Sequence, residues 1–266
     1  MIVFLVNFFI RVPICIYYVI IPKQMSLFNN LTEEDKSLAV DKIMKGSMPN
    51  HDFFMMVILS VIMATLGLLL NNSAIIIGSM LIAPVLYSIL GLSLGLSISD
   101  TKLVTRSFYS ILRAMLFAII ASVVVTLLFH NVVGREMNSE ILSRTAPSLL
   151  YMCVAIVAGL AASFASVKPQ LGETLPGIAI SVAIIPPLAV IGIGLAKLSW
   201  PVISGSLLLF IINIIGIIFA SMITFSMMNF YVKRKMIRKA IKEEEQEIEA
   251  EKQKDKEEKE KKEEER

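Results

Sequence analysis

Six apolar segments follow residue 52, and each is long enough to cross a lipid bilayer as a helix. A helical span needs about 20 predominantly apolar residues, and 56% of the 266 residues are apolar. Because a bilayer core offers no hydrogen-bond partners to irregular backbone, we expect these segments to be helices. A soluble enzyme, a secreted disulfide scaffold and a disordered chain are therefore excluded. The predicted spans are residues 53–70, 73–98, 108–130, 147–167, 175–195 and 201–232.

Charged residues outside the spans predict how the protein is inserted. Lys and Arg are enriched in the cytoplasmic loops of membrane proteins. With six spans, one side of the membrane receives most of the basic residues, whereas the other receives only Arg135, Arg144 and Lys197. We therefore expect a multi-pass protein of the cell membrane whose 23–52 segment and C-terminal tail are cytoplasmic.

The two ends of the chain differ in composition. Residues 1–22 are apolar but contain Arg11 and Pro13, which fits a further span, an interfacial helix or an extension from an upstream start. Residues 233–266 hold 13 Lys or Arg and 13 Asp or Glu, which predicts a solvated, charged helix. Its first turn, Lys233–Lys239, suits anionic lipid headgroups. The tail has no apolar heptad typical of a coiled coil, and the chain has no basic stripe typical of nucleic-acid binding.

Two proline-containing stretches, in the second and fifth spans, resemble each other at a spacing of 102 positions. One reads Ser-Met-Leu-Ile-Ala-Pro-Val-Leu from Ser79, and the other reads Ser-Val-Ala-Ile-Ile-Pro-Pro-Leu from Ser181. A proline inside a helix removes a hydrogen-bond donor and crowds the carbonyl four residues earlier. We therefore expect the second helix to be broken at Pro84 and the fifth at Pro186 and Pro187.

This repeat predicts the architecture. Its unit is three spans, an odd number, so the second copy enters the membrane from the opposite side. The expected fold is an all-α membrane protein, a six-span bundle built as a 3+3 inverted repeat, as in many secondary transporters. The expected divisions are 1–22 (apolar N-terminal segment), 23–52 (cytoplasmic segment), 53–130 (first three-helix repeat), 131–145 (outer loop), 146–232 (second three-helix repeat) and 233–266 (charged helical tail).

The same stretches resemble a known family. Residues 71–100 and 172–194 are similar to the first and second signatures of the bacterial and archaeal membrane proteins called DUF389, a domain of unknown function. Asn213 in the sixth span resembles the asparagine of that family's helix. Ser79 stands where the family usually has alanine, and the residues before the first span do not resemble the soluble domain that many members carry. The resemblance implies an uncharacterised membrane protein with no established substrate.

Polar side chains in or beside the spans are the candidate functional residues, because such groups are costly in a bilayer. Asn72 and Ser73 fit either caps of the second span or the lining of an outer mouth. Glu173 fits either a capping acid or a proton-coupling carboxylate. Asp100 and Arg113 are candidate gating or interface charges. The predicted solute pathway comprises Asn72, Ser73, Ser79, Pro84, Ser88, Glu173, Ser181, Pro186, Pro187 and Asn213.

Three functions fit these features: a secondary transporter, an oligomeric channel, and a non-transporting scaffold or sensor that acts through its tail. No carboxylate is predicted at the middle of a span, which argues against a cation site built from carboxylates. The remaining groups suit a small anion, a neutral hydroxylated solute or a dehydrated sodium ion held by backbone carbonyls, and inward-pointing helix N-termini would favour the anion. We expect no enzyme, cofactor or metal, since catalytic and metal-binding motifs are missing from the sequence. The small-residue spacings Gly91-x-x-x-Gly95 and Ala155-x-x-x-Gly159 favour a homo-oligomer.

Overall fold

The structure, a computed structural model, describes residues 33–47, 50–82, 85–129, 137–167 and 175–228, without the side chains of residues 33–35 and 175–183. Segment 1–22 and the charged tail 233–266 lie outside these residues. Within them the backbone forms helices and turns, with no strand. The helices, in chain order, are α1 (Glu33–Gly46), α2 (His51–Leu69), α3 (Ser73–Ile82), α4 (Val85–Ser97), α5 (Thr101–Leu128), α6 (Ser139–Leu142), α7 (Leu149–Val167), α8 (Leu175–Ala196) and α9 (Trp200–Met227).

Several of these helices can cross a membrane. Helices α2, α5, α7 and α9 are each long and apolar enough, and the bent pair α3–α4 makes a fifth if it forms one span. Large apolar side chains cover the outer faces of the bundle, among them Leu116 of α5 and Val157 of α7. Such faces suit contact with a lipid bilayer, since apolar surface is unfavourable in water. The chain is therefore a multi-pass membrane protein, and its described residues form helices and turns.

The structure corrects the start of the third predicted span and shows the second predicted span divided into two helices. The third span begins at Thr101 rather than at residue 108, because the buried carboxylate of Asp100 caps it by accepting from the backbone N–H groups of Lys102 and Leu103, each at 3.1 Å. The second predicted span consists of two helices, α3 and α4, whose axes differ by 56°. That bend lies where the proline in this stretch predicts an interruption, although Pro84 itself is outside the described residues.

The predicted break of the fifth helix is wrong. Helix α8 runs without interruption from Leu175 to Ala196, with Pro186 and Pro187 inside it. Proline fixes its own φ near the helical value, so residues on either side can stay helical although two hydrogen bonds are lost. Membrane helices tolerate this where neighbouring helices supply other partners for the backbone.

Three turns between consecutive helices share one geometry. Each has a glycine, a residue with positive φ four positions later, and a backbone N–H five positions later that donates to the glycine carbonyl at 2.9 Å. This is the hydrogen-bonding pattern of a Schellman motif, which satisfies the last carbonyls of a helix. The three sets are Gly67, Asn71 and Asn72 between α2 and α3, Gly95, Ser99 and Asp100 between α4 and α5, and Gly194, Leu198 and Ser199 between α8 and α9.

The last two of these turns are 99 positions apart in the sequence, whereas the two proline-containing stretches are 102 positions apart. A Cβ added to Gly95 would lie 3.0 Å from the backbone nitrogen of Val104, and one added to Gly194 would lie 3.2 Å from that of Ile203. In both turns the glycine therefore allows the next helix to pack close against the last turn of the preceding one. Lys197 belongs to the second of these turns, and partial burial lowers the pKa of its ammonium group by disfavouring the charged form.

Helix packing crosses between the two halves of the bundle. Helix α8 packs on α5, and α4 packs on α9, in addition to the contacts of neighbouring helices. Helix α8 also contacts α2, α3 and α4. Outside the spans, α1 packs on α4 and α7, and the short helix α6 packs on α2. The start of α4 and the middle of α8 are thereby brought together in the core.

Candidate solute pathway

A small apolar cavity of about 10 Å³ lies where the two halves of the bundle meet. This volume is at the lower limit of what one water molecule needs. Its walls come from α2, α4, α5, α8 and α9. The lining residues are Val57, Val85, Ile111, Ala114, Met115, Ile184, Leu188, Phe210 and Ile214.

Most of these lining residues form pairs that are 99 positions apart in the sequence. The pairs are Val85 with Ile184, Ile111 with Phe210, and Met115 with Ile214. This is the spacing that relates the turn at Gly95 to the turn at Gly194. The same spacing takes Ala114 to Asn213, which lies buried in α9 between Phe210 and Ile214.

The half-helix α4 begins at the cavity. Val85 is its first residue and lines the cavity wall. The first turn of any helix has backbone N–H groups without a helical partner. Ser88 belongs to this turn, and its buried Oγ has no hydrogen-bond partner among the described residues. The start of α4 therefore offers backbone hydrogen-bond donors beside the cavity, together with the Ser88 hydroxyl, which can donate and accept.

The end of α3 is stabilised by a serine from the neighbouring helix. The last four carbonyls of a helix lack helical donors, and the carbonyl of Ser79 is one of these. It accepts a hydrogen bond of 2.7 Å from Ser60 Oγ of α2, and both serines are fully buried. The hydroxyl of Ser79 itself donates to the Ile76 carbonyl at 2.6 Å. Ser79 therefore contributes the bonded end of a half-helix, with its hydroxyl already engaged.

Replacing Ser60 by alanine is expected to destabilise the protein by about 1–3 kcal/mol, because a buried carbonyl would lose its partner. The Ser206→Ala variant is the matched control. The hydroxyl of Ser206 donates only to Val202 of its own helix, at 2.7 Å, and that carbonyl keeps its helical donor. Thermal unfolding in detergent measures the difference. Equal melting temperatures for the two variants would contradict the assigned role of Ser60.

A second serine links the two halves of the bundle. Ser122 Oγ of α5 donates to the Ala189 carbonyl of α8 at 2.7 Å. A Cβ added to Gly192 would collide with Ser122 and lie 3.0 Å from the carbonyl oxygen of Ile119. The absence of a side chain at Gly192 therefore lets α8 approach α5 closely enough for this hydrogen bond.

One of the two predicted outer-mouth residues, Asn72, caps α3. Asn72 Oδ1 accepts from the backbone N–H groups of Ala74 and Ile75, at 3.0 and 3.3 Å, so the capping interpretation of Asn72 is confirmed. Ser73 is the exposed first residue of α3. Neither lies among the residues that line the cavity.

The neighbouring Asn71 joins the turn to the loop before α7. Its Oδ1 accepts from Ser139 Oγ at 3.1 Å and from the Glu140 backbone N–H at 3.2 Å. Asn138 Nδ2 donates to the carbonyls of Leu68 and Leu69. The loop is thereby fixed to the end of α2.

The two predicted charges lie apart from the cavity. Asp100 is the buried N-cap of α5. Arg113 lies between the cavity-lining residues Ile111 and Ala114 in sequence, but it is on the exposed face of α5. It is 12 residues into this helix, about 18 Å from the start at 1.5 Å per residue. Arg113 therefore faces away from the cavity.

Three predicted pathway residues have no described side chain. Pro84 and Glu173 lie outside the described residues, and only the backbone of Ser181 is described, inside α8. Pro186 and Pro187 are buried in the same helix, next to the cavity-lining Leu188. Within the described ranges, no group of three or more His, Cys, Asp or Glu could hold a metal ion.

Sequence reasoning missed Ser60, Ser122 and the apolar residues that form the cavity wall. A lone serine in an apolar helix signals a hydroxyl that needs a partner, but its partner carbonyl is fixed only by packing. The cavity residues carry no chemical signal of their own. The glycines Gly95 and Gly194 show the same spacing of 99 positions in the sequence. This spacing was missed because the prolines were aligned at a spacing of 102.

Comparison with known proteins places this arrangement in a family. The family model described as "Domain of unknown function (DUF389)" matches residues 80–219, which include the cavity-lining residues from Val85 to Ile214. The chain belongs to the DUF389 family. An uncharacterized protein of Methanocaldococcus jannaschii is 28% identical over 223 residues, which cover 79% of this chain and 67% of that protein. No solved structure matches the chain significantly. Membership in DUF389 assigns no substrate.

Proposed function

We propose that this DUF389 protein is a secondary transporter of a small anion or neutral solute, built as six spans in a 3+3 inverted repeat. The first unit comprises α2, the pair α3–α4 and α5, and the second comprises α7, α8 and α9. The observation that carries the proposal is the cavity between the units, whose walls pair residues 99 positions apart. Inverted-repeat transporters bind their solutes at such an interface between units.

The packing of the helices supports the same arrangement. In the proposed repeat, α8 corresponds to the pair α3–α4, and α9 corresponds to α5. The contact of α8 with α5 therefore corresponds to the contact of α4 with α9, and both contacts are present. The turn at Ser99 also corresponds to the turn at Leu198, and the two turns have the same backbone hydrogen bonds. With the basic loops on the inside, the protein would lie in the cell membrane with residues 23–52 and the tail in the cytoplasm.

The class of solute follows from the groups beside the cavity. The start of α4 presents backbone N–H groups and the positive end of a helix dipole, which favour negative charge or hydrogen-bond acceptors. No Asp or Glu lines the cavity. A small anion, or a neutral solute with acceptor oxygens, fits these donors better than a cation.

A thermal-shift screen tests this proposal. The purified protein is heated with small anions, polyols, amino acids and monovalent cations, since a ligand that binds the folded state raises the melting temperature. We expect a saturable shift with an anion or a polyol, and a loss of that shift in Asn213→Ala but not in Ser206→Ala. Stabilisation by cations alone, or an unchanged shift in Asn213→Ala, would contradict the proposal.

An oligomeric channel is the second candidate, and the position of Arg113 favours it. An arginine on the outer face of a span is costly against lipid, whereas a homo-oligomer with these faces inward would place one Arg113 per protomer around a shared anion pore. Planar-bilayer recordings distinguish the two functions. A channel predicts anion currents that Arg113→Gln reduces, whereas the transporter predicts solute uptake without single-channel steps.

A further inference from the structure

Helix α1 is a polar helix docked on the bundle by one narrow face. Ala39, Val40, Ile43 and Met44 are buried, whereas Asp41 and Lys45 are exposed. The helix packs on α4 and α7. It is not among the helices apolar enough to cross a membrane, so it covers the bundle without belonging to the spans.

The C-terminal end of α1 packs against the first half of α4. A Cβ added to Gly46 would lie 2.5 Å from the ring of Tyr87, two residues after the cavity-lining Val85. The next residue, Ser47, contacts Gly91 of α4, and its carbonyl accepts from Ser110 Oγ of α5 at 3.3 Å. The end of α1 thus covers the groove between α4 and α5.

The groove under α1 contains hydroxyl groups that the docked state leaves unsatisfied. Ser88 and Ser107 are fully buried, and neither Oγ has a hydrogen-bond partner among the described residues. Ser107 Oγ lies 2.8 Å from the position of a Cβ on Gly91, where Ser47 also packs. Burying an unpaired hydroxyl is unfavourable, and water would satisfy both groups if α1 moved away. The groove is therefore suited to contact with water when α1 is undocked.

The second unit has a comparable cover at the corresponding place. The loop before α7 contacts α9 where the carbonyl of Thr145 meets Gly205. Gly205 precedes Ser206, which is 99 positions after Ser107. Helix α6 of this loop packs on α2, as α1 packs on α7. In the first unit, the segment before α2 covers the groove beside α5. In the second unit, the segment before α7 packs against α9.

We propose that α1 is a removable gate over a serine-lined vestibule formed by Ser88, Ser107 and Ser110, through which a small hydrogen-bonding solute passes between the cytoplasm and the cavity. The gate rests on the proposed transport function for its purpose, but its opening is measurable without any solute. Undocking exposes the serines to water, and docking seals the cavity from that side.

Cysteine accessibility tests the gate directly. Ser88→Cys is introduced into the full-length chain with Cys15→Ser and Cys153→Ser, and its rate of labelling by a charged maleimide is measured in detergent. Gly46→Leu places a side chain against the Tyr87 ring and should raise the rate about tenfold, which corresponds to a modest shift between two states. Lys45→Leu adds the same side chain at the neighbouring exposed position and should leave the rate unchanged. Equal rates in two folded variants would overturn the gate.

A cross-link provides a second, independent measurement. The Cβ of Ser47 lies 3.1 Å from the position of a Cβ on Gly91, slightly shorter than the usual Cβ separation in a disulfide. Oxidising Ser47→Cys/Gly91→Cys should abolish uptake of a solute identified by thermal shift, and reduction should restore it. Full uptake in the oxidised protein would overturn the gate while leaving the transporter intact. If Gly46→Leu raises the labelling rate in a protein that transports none of the screened solutes, the result would instead support the gate and argue against transport.

Discussion

Ala114→Phe is expected to abolish solute uptake into proteoliposomes while leaving the protein folded. Ala114 is almost fully buried on α5 and lines the cavity between the two units. A phenyl ring is larger than the cavity of about 10 Å³, so it would fill the space between the units and block the passage of a solute. Overpacking at such a site costs about 1–3 kcal/mol, which lowers the melting temperature without preventing folding.

The control is Ala161→Phe, the same substitution at an exposed position of α7. It should retain uptake, since the new ring faces outward from the bundle. Ala114→Ser, which adds little volume, should also retain most of the uptake. If Ala114→Phe is folded and transports at the wild-type rate, the solute does not pass through this cavity.

Gly192→Val is expected to produce the largest loss of stability, about 3 kcal/mol from overpacking and roughly 6–12 °C in melting temperature for a domain of this size. The added side chain would collide with Ser122 and press on the Ile119 carbonyl, so α8 would separate from α5. The hydrogen bond from Ser122 to Ala189 would be lost as well. Thermal unfolding of the purified protein measures the effect.

Gly78→Val provides the comparison for this substitution. The nearest atom to a Cβ on Gly78 is the flexible end of Met63, at 3.0 Å, and this side chain can move aside. The variant should therefore melt close to the wild type. Combining Gly192→Val with Ser122→Gly should recover part of the lost stability. A Gly192→Val protein as stable as Gly78→Val would show that the helices do not meet closely at this point.

The sequence was sufficient to predict the elements whose signal is continuous along the chain. Apolar runs predicted α2, α7 and α9 to within a few residues at the ends described, because a bilayer requires helices of that length. The bend between α3 and α4 followed from a proline with no helical donor. The start of α5 was misplaced, since a single capping side chain, that of Asp100, extends the helix beyond its apolar part.

The features that depend on packing were not predictable in the same way. The two prolines in α8 and the one near the start of α4 look alike in sequence, yet the helix is uninterrupted in α8. The alignment at 102 positions matched the prolines, whereas the turns and the cavity match at 99. The docking of α1 depends on Gly46 and Ser47, whose small side chains give no sign of what they contact. Arg113 was a candidate gating or interface charge, and the direction in which it points, away from the cavity, also depends on packing.

Labelling from one side of the membrane tests the inverted arrangement. Single cysteines replace Leu70, Thr101 and Leu198, exposed residues at or beside the three equivalent turns, in a chain with Cys15→Ser and Cys153→Ser. In intact cells, an impermeant maleimide should label Leu70→Cys and Leu198→Cys, and it should label Thr101→Cys only after the membrane is permeabilised. Labelling of Thr101→Cys from outside would instead show that α3 and α4 form a re-entrant loop, and the two units would not be inverted copies.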